Sequence, residues 1–125
     1  MLRLVVAAFA VLGFASTSIA QSNASLSKAQ IKAVEDGVKR KLRDPESARF
    51  GRYAAAKQSD GSIVVCGWVN SKNGYGGYAG FGPYYGVLFD KPLGYEAKTV
   101  ANGELGITGV TRYCREDGVQ LPENP

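Results

Sequence analysis

The first regular element that the pattern of apolar positions predicts is an amphipathic helix beginning at Ser27. Ser27 and Gln30 have the spacing of a capping box, in which each side chain bonds the backbone amide of the other residue. Pro45 cannot continue a helix, so the helix is predicted to end near Arg43. The apolar side chains that recur at the spacing of one helical face are Ile31, Val34, Val38 and Leu42.

Beyond Pro45 the apolar positions alternate, which indicates strands. Asp44 is expected to cap a short turn at Pro45, and Ser59-Asp60-Gly61 has the composition of a hairpin turn. Residues 62–70 are apolar on both faces, which predicts a central strand. Strands are predicted at residues 48–57, 62–70 and 84–90, with two less regular ones at 96–101 and 107–114.

These elements predict one α+β domain, in which one N-terminal amphipathic helix packs on a small antiparallel sheet of three to five strands. Cys66 and Cys114 are the two cysteines, so a single disulfide is expected to tie the central strand to the C-terminal segment. The alternative is two free thiols for redox or metal chemistry. That alternative has no CxxC spacing and no histidine to support it.

The segment Met1–Ala20 has the three parts of a secretory signal. Arg3 begins it, an apolar run follows at residues 4–14, and small residues end it at Ala20. The apolar run is shorter than the roughly 20 residues that a membrane-spanning helix needs, although a retained anchor is the alternative. We therefore expect a single mature domain, residues 21–125, that lacks a transmembrane segment and is periplasmic or secreted.

The mature domain is mildly basic, since removal of Arg3 leaves 14 basic against 11 acidic residues, a net charge of +3. The excess lies in residues 28–43, where six basic residues accompany only Glu35 and Asp36. This stripe is either an ordinary solvated helix face or a surface for anionic polymers. Export argues against nucleic acid as the partner.

Catalytic chemistry has little support in the sequence. The chain has no histidine, which removes the commonest general base and metal ligand, and no cofactor-binding or metal-binding motif is present. A carboxylate dyad would need a deep cleft, which a domain of this size rarely builds. We expect a non-enzymatic protein without cofactor or metal. The carboxylates considered for such a dyad are Asp60, Asp90, Glu96 and Glu104.

The segment at residues 67–86 holds seven of the 16 glycines and six of the 13 aromatic residues. Flat aromatic rings on a glycine-rich backbone suit contacts with proteins and sugars. Trp68 lies in the predicted central strand and is assigned to the core. The alternative for the other rings is that they only cover the sheet. The candidate binding residues are Tyr75, Tyr78, Phe81 and Tyr85.

Three stretches of the chain resemble a group of small exported or phage-associated proteins of Gram-negative bacteria. The stretches are residues 44–50 (DPESARF), 65–73 (VCGWVNSKN) and 76–81 (GGYAGF). The group carries DPxSAxF followed by VCGxVNxKNxxGGYxGF, and the resemblance covers about residues 44–90. It implies a bacterial exported protein. No activity is established for the group, so no functional residue can be transferred.

The sequence therefore favours an exported binding module that contacts a protein or glycan through the aromatic segment. An envelope accessory protein whose basic helix face rests on anionic surface polymers is the alternative, and a small hydrolase is third. Salt is expected to separate the first two, because 0.5 M salt screens charges beyond a few ångströms and would release only the basic face.

Overall fold

The chain forms a four-stranded sheet with one helix on each face within residues 23–125, the part that this computed structural model describes. The predicted signal sequence, residues 1–20, and the predicted mature start at Gln21 lie outside the described residues. Along the chain the elements are α1 (Lys28–Lys39), a 3₁₀ turn (Pro45–Ser47), β1 (Arg49–Lys57), β2 (Ile63–Asn70), β3 (Gly82–Asp90), β4 (Leu93–Val100) and α2 (Gly103–Glu116).

The sheet is an antiparallel meander with the order β1-β2-β3-β4, so every strand pairs with its neighbour in sequence. The predicted α+β class and the predicted number of strands are confirmed. α1 packs mainly on β4 and α2 mainly on β3. The expectation of a single helix was wrong, because the sheet has two apolar faces and each face has its own helix.

The capping box predicted for α1 is present. The Gln30 amide donates to Ser27 Oγ at 3.2 Å, and the Ser27 amide donates to Gln30 Oε1 at 2.9 Å. The helix is not N-terminal in the described chain, since an extended segment precedes it and Asn23 in that segment pairs with Ala56 of β1. Asp44 makes no side-chain capping bond, contrary to prediction.

α1 ends at Lys39, four residues before the predicted end. The amides of Lys41 and Leu42 bond to the carbonyls of Val38 and Lys39, three residues back, and these tighter bonds close the helix. The turn brings Leu42 back against the core, where it packs half-buried. Arg40 Nη2 donates to the Tyr95 carbonyl of β4 at 3.2 Å, which holds the helix end to the sheet.

β2 is buried on both faces, as the apolar pattern predicted. Val65 and Val69 belong to the core beneath α1, which also contains Leu88 and Tyr95. The Tyr95 hydroxyl donates to the Val65 carbonyl at 2.8 Å and so satisfies its polar atom inside this core. On the opposite face the core residues are Ala56, Val64, Cys66, Val110, Cys114 and Val119.

The predicted strand at residues 107–114 is wrong, because this segment lies within helix α2. Its β-branched residues suggested a strand, although Gly103, Gly106 and Gly109 weakened any regular assignment there. However, Ile107, Val110 and Cys114 recur at intervals of three and four, and Val110 and Cys114 are buried against the sheet. Gly118, with a positive φ of 81°, ends the helix and lets the Val119 amide bond the Cys114 carbonyl.

The predicted disulfide joins Cys66 of β2 to Cys114 of α2, and both residues are fully buried. Trp68 is also core as predicted, with 3% of its surface exposed. Its indole Nε1 donates to the Pro122 carbonyl at 2.8 Å. The segment after α2 therefore covers Trp68 on the same face of β2 that the disulfide joins to α2.

We expect Cys66→Ser or Cys114→Ser to lower the free energy of unfolding by roughly 4 kcal/mol, because the bridge closes a loop with a sequence separation of 48 residues. Thermal unfolding followed by circular dichroism measures the loss. Reduced wild-type protein is the control, since it lacks the disulfide but does not contain the buried hydroxyl that each serine variant introduces. A thermal midpoint unchanged in both mutants and in reduced protein would contradict the prediction.

Candidate functional site

The aromatic loop, which we define as residues 71–81 between β2 and β3, is held closed by Asn73. Its side-chain Oδ1 accepts from the amides of Tyr75 and Gly77 at 2.9 and 3.3 Å. Its backbone amide also donates to the Gly77 carbonyl at 2.8 Å. Gly76 has a φ of 80°, which a residue with a side chain rarely adopts, and thereby completes this turn. The tip of the loop is consequently ordered by its own hydrogen bonds.

Ser47, in the 3₁₀ turn, anchors the base of the aromatic loop. Its Oγ accepts from the Lys72 amide at 2.8 Å, and its carbonyl accepts from the Tyr78 hydroxyl at 2.9 Å. The same Oγ donates to the Asp44 carbonyl at 2.8 Å. The turn at Pro45 therefore has a clear structural role, because it supplies two bonds that position the loop.

Tyr75 and Tyr78 both lie on the aromatic loop but differ in environment. Tyr75 is 99% exposed at the tip, whereas Tyr78 is 36% exposed at the base. The guanidinium of Arg49 lies 4.2 Å from the centre of the Tyr78 ring, and Lys72 Nζ lies 5.8 Å from it. Tyr78 thus supports the loop, while the ring of Tyr75 contributes little to the fold and is free for a partner.

The other two candidate aromatics lie against different elements. Phe81 is half-buried beside Gly51 of β1, where an added Cβ would lie 3.4 Å from its ring. Tyr85, on β3, donates its hydroxyl to the Asp117 carboxylate and packs its ring near Tyr113 of α2. Of the four candidates, Tyr75, Tyr78 and Phe81 therefore lie in the aromatic loop, with Phe81 at its end against β1, and Tyr85 lies on β3.

A cleft of about 650 Å³ lies between the aromatic loop, the chain leaving α1 and the segment joining β4 to α2. We call it the basic cleft and define it by the polar and aromatic side chains that line it. Its volume falls within the roughly 300–1,000 Å³ typical of small-molecule sites. The defining residues are Lys41, Arg43, Ser71, Lys72, Asn73, Tyr75 and Asn102.

The charge of the basic cleft has one sign. Lys41, Arg43 and Lys72 line it, and no carboxylate among the described residues does. Within residues 23–125 the ion pairs are Lys32–Asp36, Glu96–Lys98 and Arg112–Glu116, so none of them involves a cleft cation. Their positive potential is therefore available to an anion.

Arg43 connects the basic cleft to the loop tip. Its guanidinium lies against Gly74, where an added Cβ would come within 2.8 Å of Nη1. Sequence reasoning assigned Arg43 to the basic helix face, but the helix ends at Lys39 and Arg43 lies beyond it.

The segment around Ser47 resembled that of the exported group, yet its role as the loop's anchor was missed because hydrogen bonds across 25 and 31 residues leave no local pattern.

The four carboxylates considered for a hydrolytic dyad lie on separate elements. Asp60 is in the β1–β2 turn, where its Oδ1 accepts from the amide and hydroxyl of Ser62. Asp90 ends β3 near Gln30, Glu96 is ion-paired with Lys98 on β4, and Glu104 is in the first turn of α2. Within residues 23–125 no group of three or more metal-ligating side chains is clustered.

No protein-family model matches this chain, and neither does any curated protein or any solved structure. None of the helices that the structure describes is long and apolar enough to span a membrane. Function is therefore inferred from the geometry of the site.

We expect Trp68→Ala to lower the free energy of unfolding by about 3–5 kcal/mol, because it leaves a cavity in the core. Tyr75→Ala should cost under about 0.5 kcal/mol, and Tyr78→Ala about 1 kcal/mol through its hydrogen bond and cation contacts. Urea unfolding measures all three. If Tyr75→Ala destabilises the protein as much as Trp68→Ala does, the aromatic loop belongs to the core.

The pKa of Tyr85 is raised from 10.0 to about 12, chiefly by its hydrogen bond to Asp117 and then by burial. The stability that follows from this shift is fully present below pH 10 and is lost as the pH rises through about 12. Tyr85→Phe should cost about 1 kcal/mol at pH 8. Urea unfolding at pH 8, 10 and 11.5 should show that the difference in free energy of unfolding between Tyr85→Phe and wild type becomes smaller as the pH rises. A constant difference would refute the hydrogen bond's contribution.

Proposed function

We propose that this protein is an exported, non-enzymatic binding module that contacts a protein or glycan partner through the tip of the aromatic loop. The observation that carries the proposal is the position of Tyr75. A tyrosine ring that is 99% exposed gains almost nothing for the fold where it lies. Tyrosine is also among the residues that dominate binding energy at interfaces.

The order of the loop supports the same function. Asn73 closes the tip and Ser47 anchors the base, so Tyr75 is presented on a segment that is already fixed. Flexible segments bind more weakly because they lose conformational entropy when they become ordered. A loop that is already ordered avoids most of this cost. The contacts of Tyr78 with Arg49 and Ser47 add to this rigidity.

A second candidate is an envelope accessory protein that rests on an anionic surface. Phe89 and Leu93, each 45% exposed at the β3–β4 hairpin, support it because they lie beside Arg40, Lys41 and Lys91. Salt alone does not separate the two candidates, since Lys41 also lines the basic cleft. The double variant Phe89→Ser with Leu93→Ser separates the two candidates, because it alters the hairpin surface and leaves the aromatic loop unchanged.

The test is retention of a partner from periplasmic and envelope extracts by immobilised natively purified protein, followed by measurement of the partner's Kd. Tyr75→Ala should weaken the Kd at least tenfold, since an exposed aromatic anchor is worth more than about 1.4 kcal/mol at an interface. Leu105→Ala is the matched control, because Leu105 is an apolar side chain that is 91% exposed on α2.

Both variants should keep the wild-type thermal midpoint within about 2 °C, since neither side chain is buried. A Kd that is unchanged in Tyr75→Ala contradicts the loop as the binding surface. If the paired substitution of Phe89 and Leu93 removes retention instead, the second candidate replaces the first.

A further inference from the structure

We propose that the basic cleft binds an anionic saccharide, with its charged groups on Lys41, Arg43 and Lys72 and a sugar ring against Tyr75. The inference rests on the proposed function, because it assigns a ligand to the same loop. It goes further by identifying the chemical class of that ligand and by adding residues that lie outside the aromatic segment.

The charge of the ligand follows from the lining of the cleft. Three cations from two separate segments line a volume of about 650 Å³ whose lining holds no carboxylate, and Glu96, whose charge interacts with that of Lys41, lies outside it. Bringing like charges together in this way is unfavourable in the empty protein, and an anion removes that repulsion. Arg43 also offers the planar pair of donors that fits a carboxylate or a phosphate.

The saccharide part follows from the uncharged groups. Tyr75 is among the residues that line the cleft, and its exposed, flat amphipathic ring is accessible to stack on the apolar face of a sugar. The Ser71 hydroxyl and the Asn102 side chain, which makes no capping bond at the start of α2, offer polar partners to sugar hydroxyls. The backbone of an acidic peptide would also bond these polar groups, so the stacking surface of Tyr75 is the feature that favours a saccharide.

The shape of the site favours a short ligand segment over a broad protein surface. Protein interfaces bury about 800 Å² on each partner and are comparatively flat, whereas this site is a cleft with the volume of a small-molecule pocket. Gly74, which precedes Tyr75 in the chain, lets Arg43 approach the tip of the loop closely.

The probe is trigalacturonate, a carboxylate-bearing trisaccharide, titrated into isotopically labelled protein and followed by amide chemical shifts. Saturable shifts are expected at residues 41–43, 71–77 and 101–102. Uncharged galactotriose should bind at least tenfold more weakly. Raising NaCl from 0.05 to 0.5 M should weaken trigalacturonate at least tenfold, because the Debye length falls from about 14 to about 4 Å. Inorganic phosphate distinguishes a phosphate site from a carboxylate site.

The double variant Arg43→Gln with Lys72→Gln should bind trigalacturonate at least tenfold more weakly than the wild type does. Its matched control is Arg52→Gln with Lys57→Gln, which removes the same two charges from exposed positions of β1 outside the cleft. Tyr75→Ala should weaken trigalacturonate while leaving phosphate binding within twofold, since only the sugar ring needs the aromatic side chain.

Saturation by hexaglutamate at lower concentration than trigalacturonate would overturn the saccharide assignment in favour of an acidic peptide. Equal weakening by both charge-removal variants would show that only net charge matters and would overturn the cleft as the site. Absence of any saturable shift would overturn this inference alone. The proposed function fails separately, through an unchanged partner Kd in Tyr75→Ala.

Discussion

Burial of β2 on both faces is the constraint on which the rest of this structure depends. Val65 and Val69 require cover on one face, and Val64, Cys66 and Trp68 require it on the other. A single helix cannot cover both faces, so the apolar pattern of this one strand already demands a second covering element. That element is α2, whose three glycines make it a poor helix in isolation. The disulfide holds α2 against β2, and the segment after it closes over Trp68.

The parts of the fold that the sequence predicted correctly are those governed by short-range rules. The start of α1 is set by Ser27 and Gln30, three residues apart, and the β1–β2 turn by Asp60 and Gly61. The strand order was not predicted from the sequence, although each strand pairs with its neighbour along the chain. The disulfide was predictable for a simpler reason, since two cysteines in a chain that the sequence predicts to be exported leave one pairing.

The features that the sequence predicted wrongly or did not reveal share one physical origin, which is contact between residues far apart in the chain. The spacing of Ile107, Val110 and Cys114 was helical, but propensity favoured a strand, and only the sheet beneath α2 and the bond to Cys66 decide between them. Similarly, nothing local shows that Tyr85 reaches Asp117 across 32 residues or that Ser47 anchors the loop. The composition of residues 67–86 identified an unusual segment. It did not distinguish the exposed ring of Tyr75 from the supporting ring of Tyr78.

The early end of α1 connects the fold to the proposed site. Had the helix continued to Arg43, Lys41 and Arg43 would have lain on nearly opposite faces of it, since residues two apart do not share a helix face. Because α1 stops at Lys39 and turns so that Leu42 meets the core, Lys41 and Arg43 instead line one cleft beside the aromatic loop. The burial of one leucine thereby positions two cations. Stability and the proposed recognition consequently depend on different side chains of the same segment, so we expect that Arg43 and Lys41 can be replaced without disturbing the packing of Leu42.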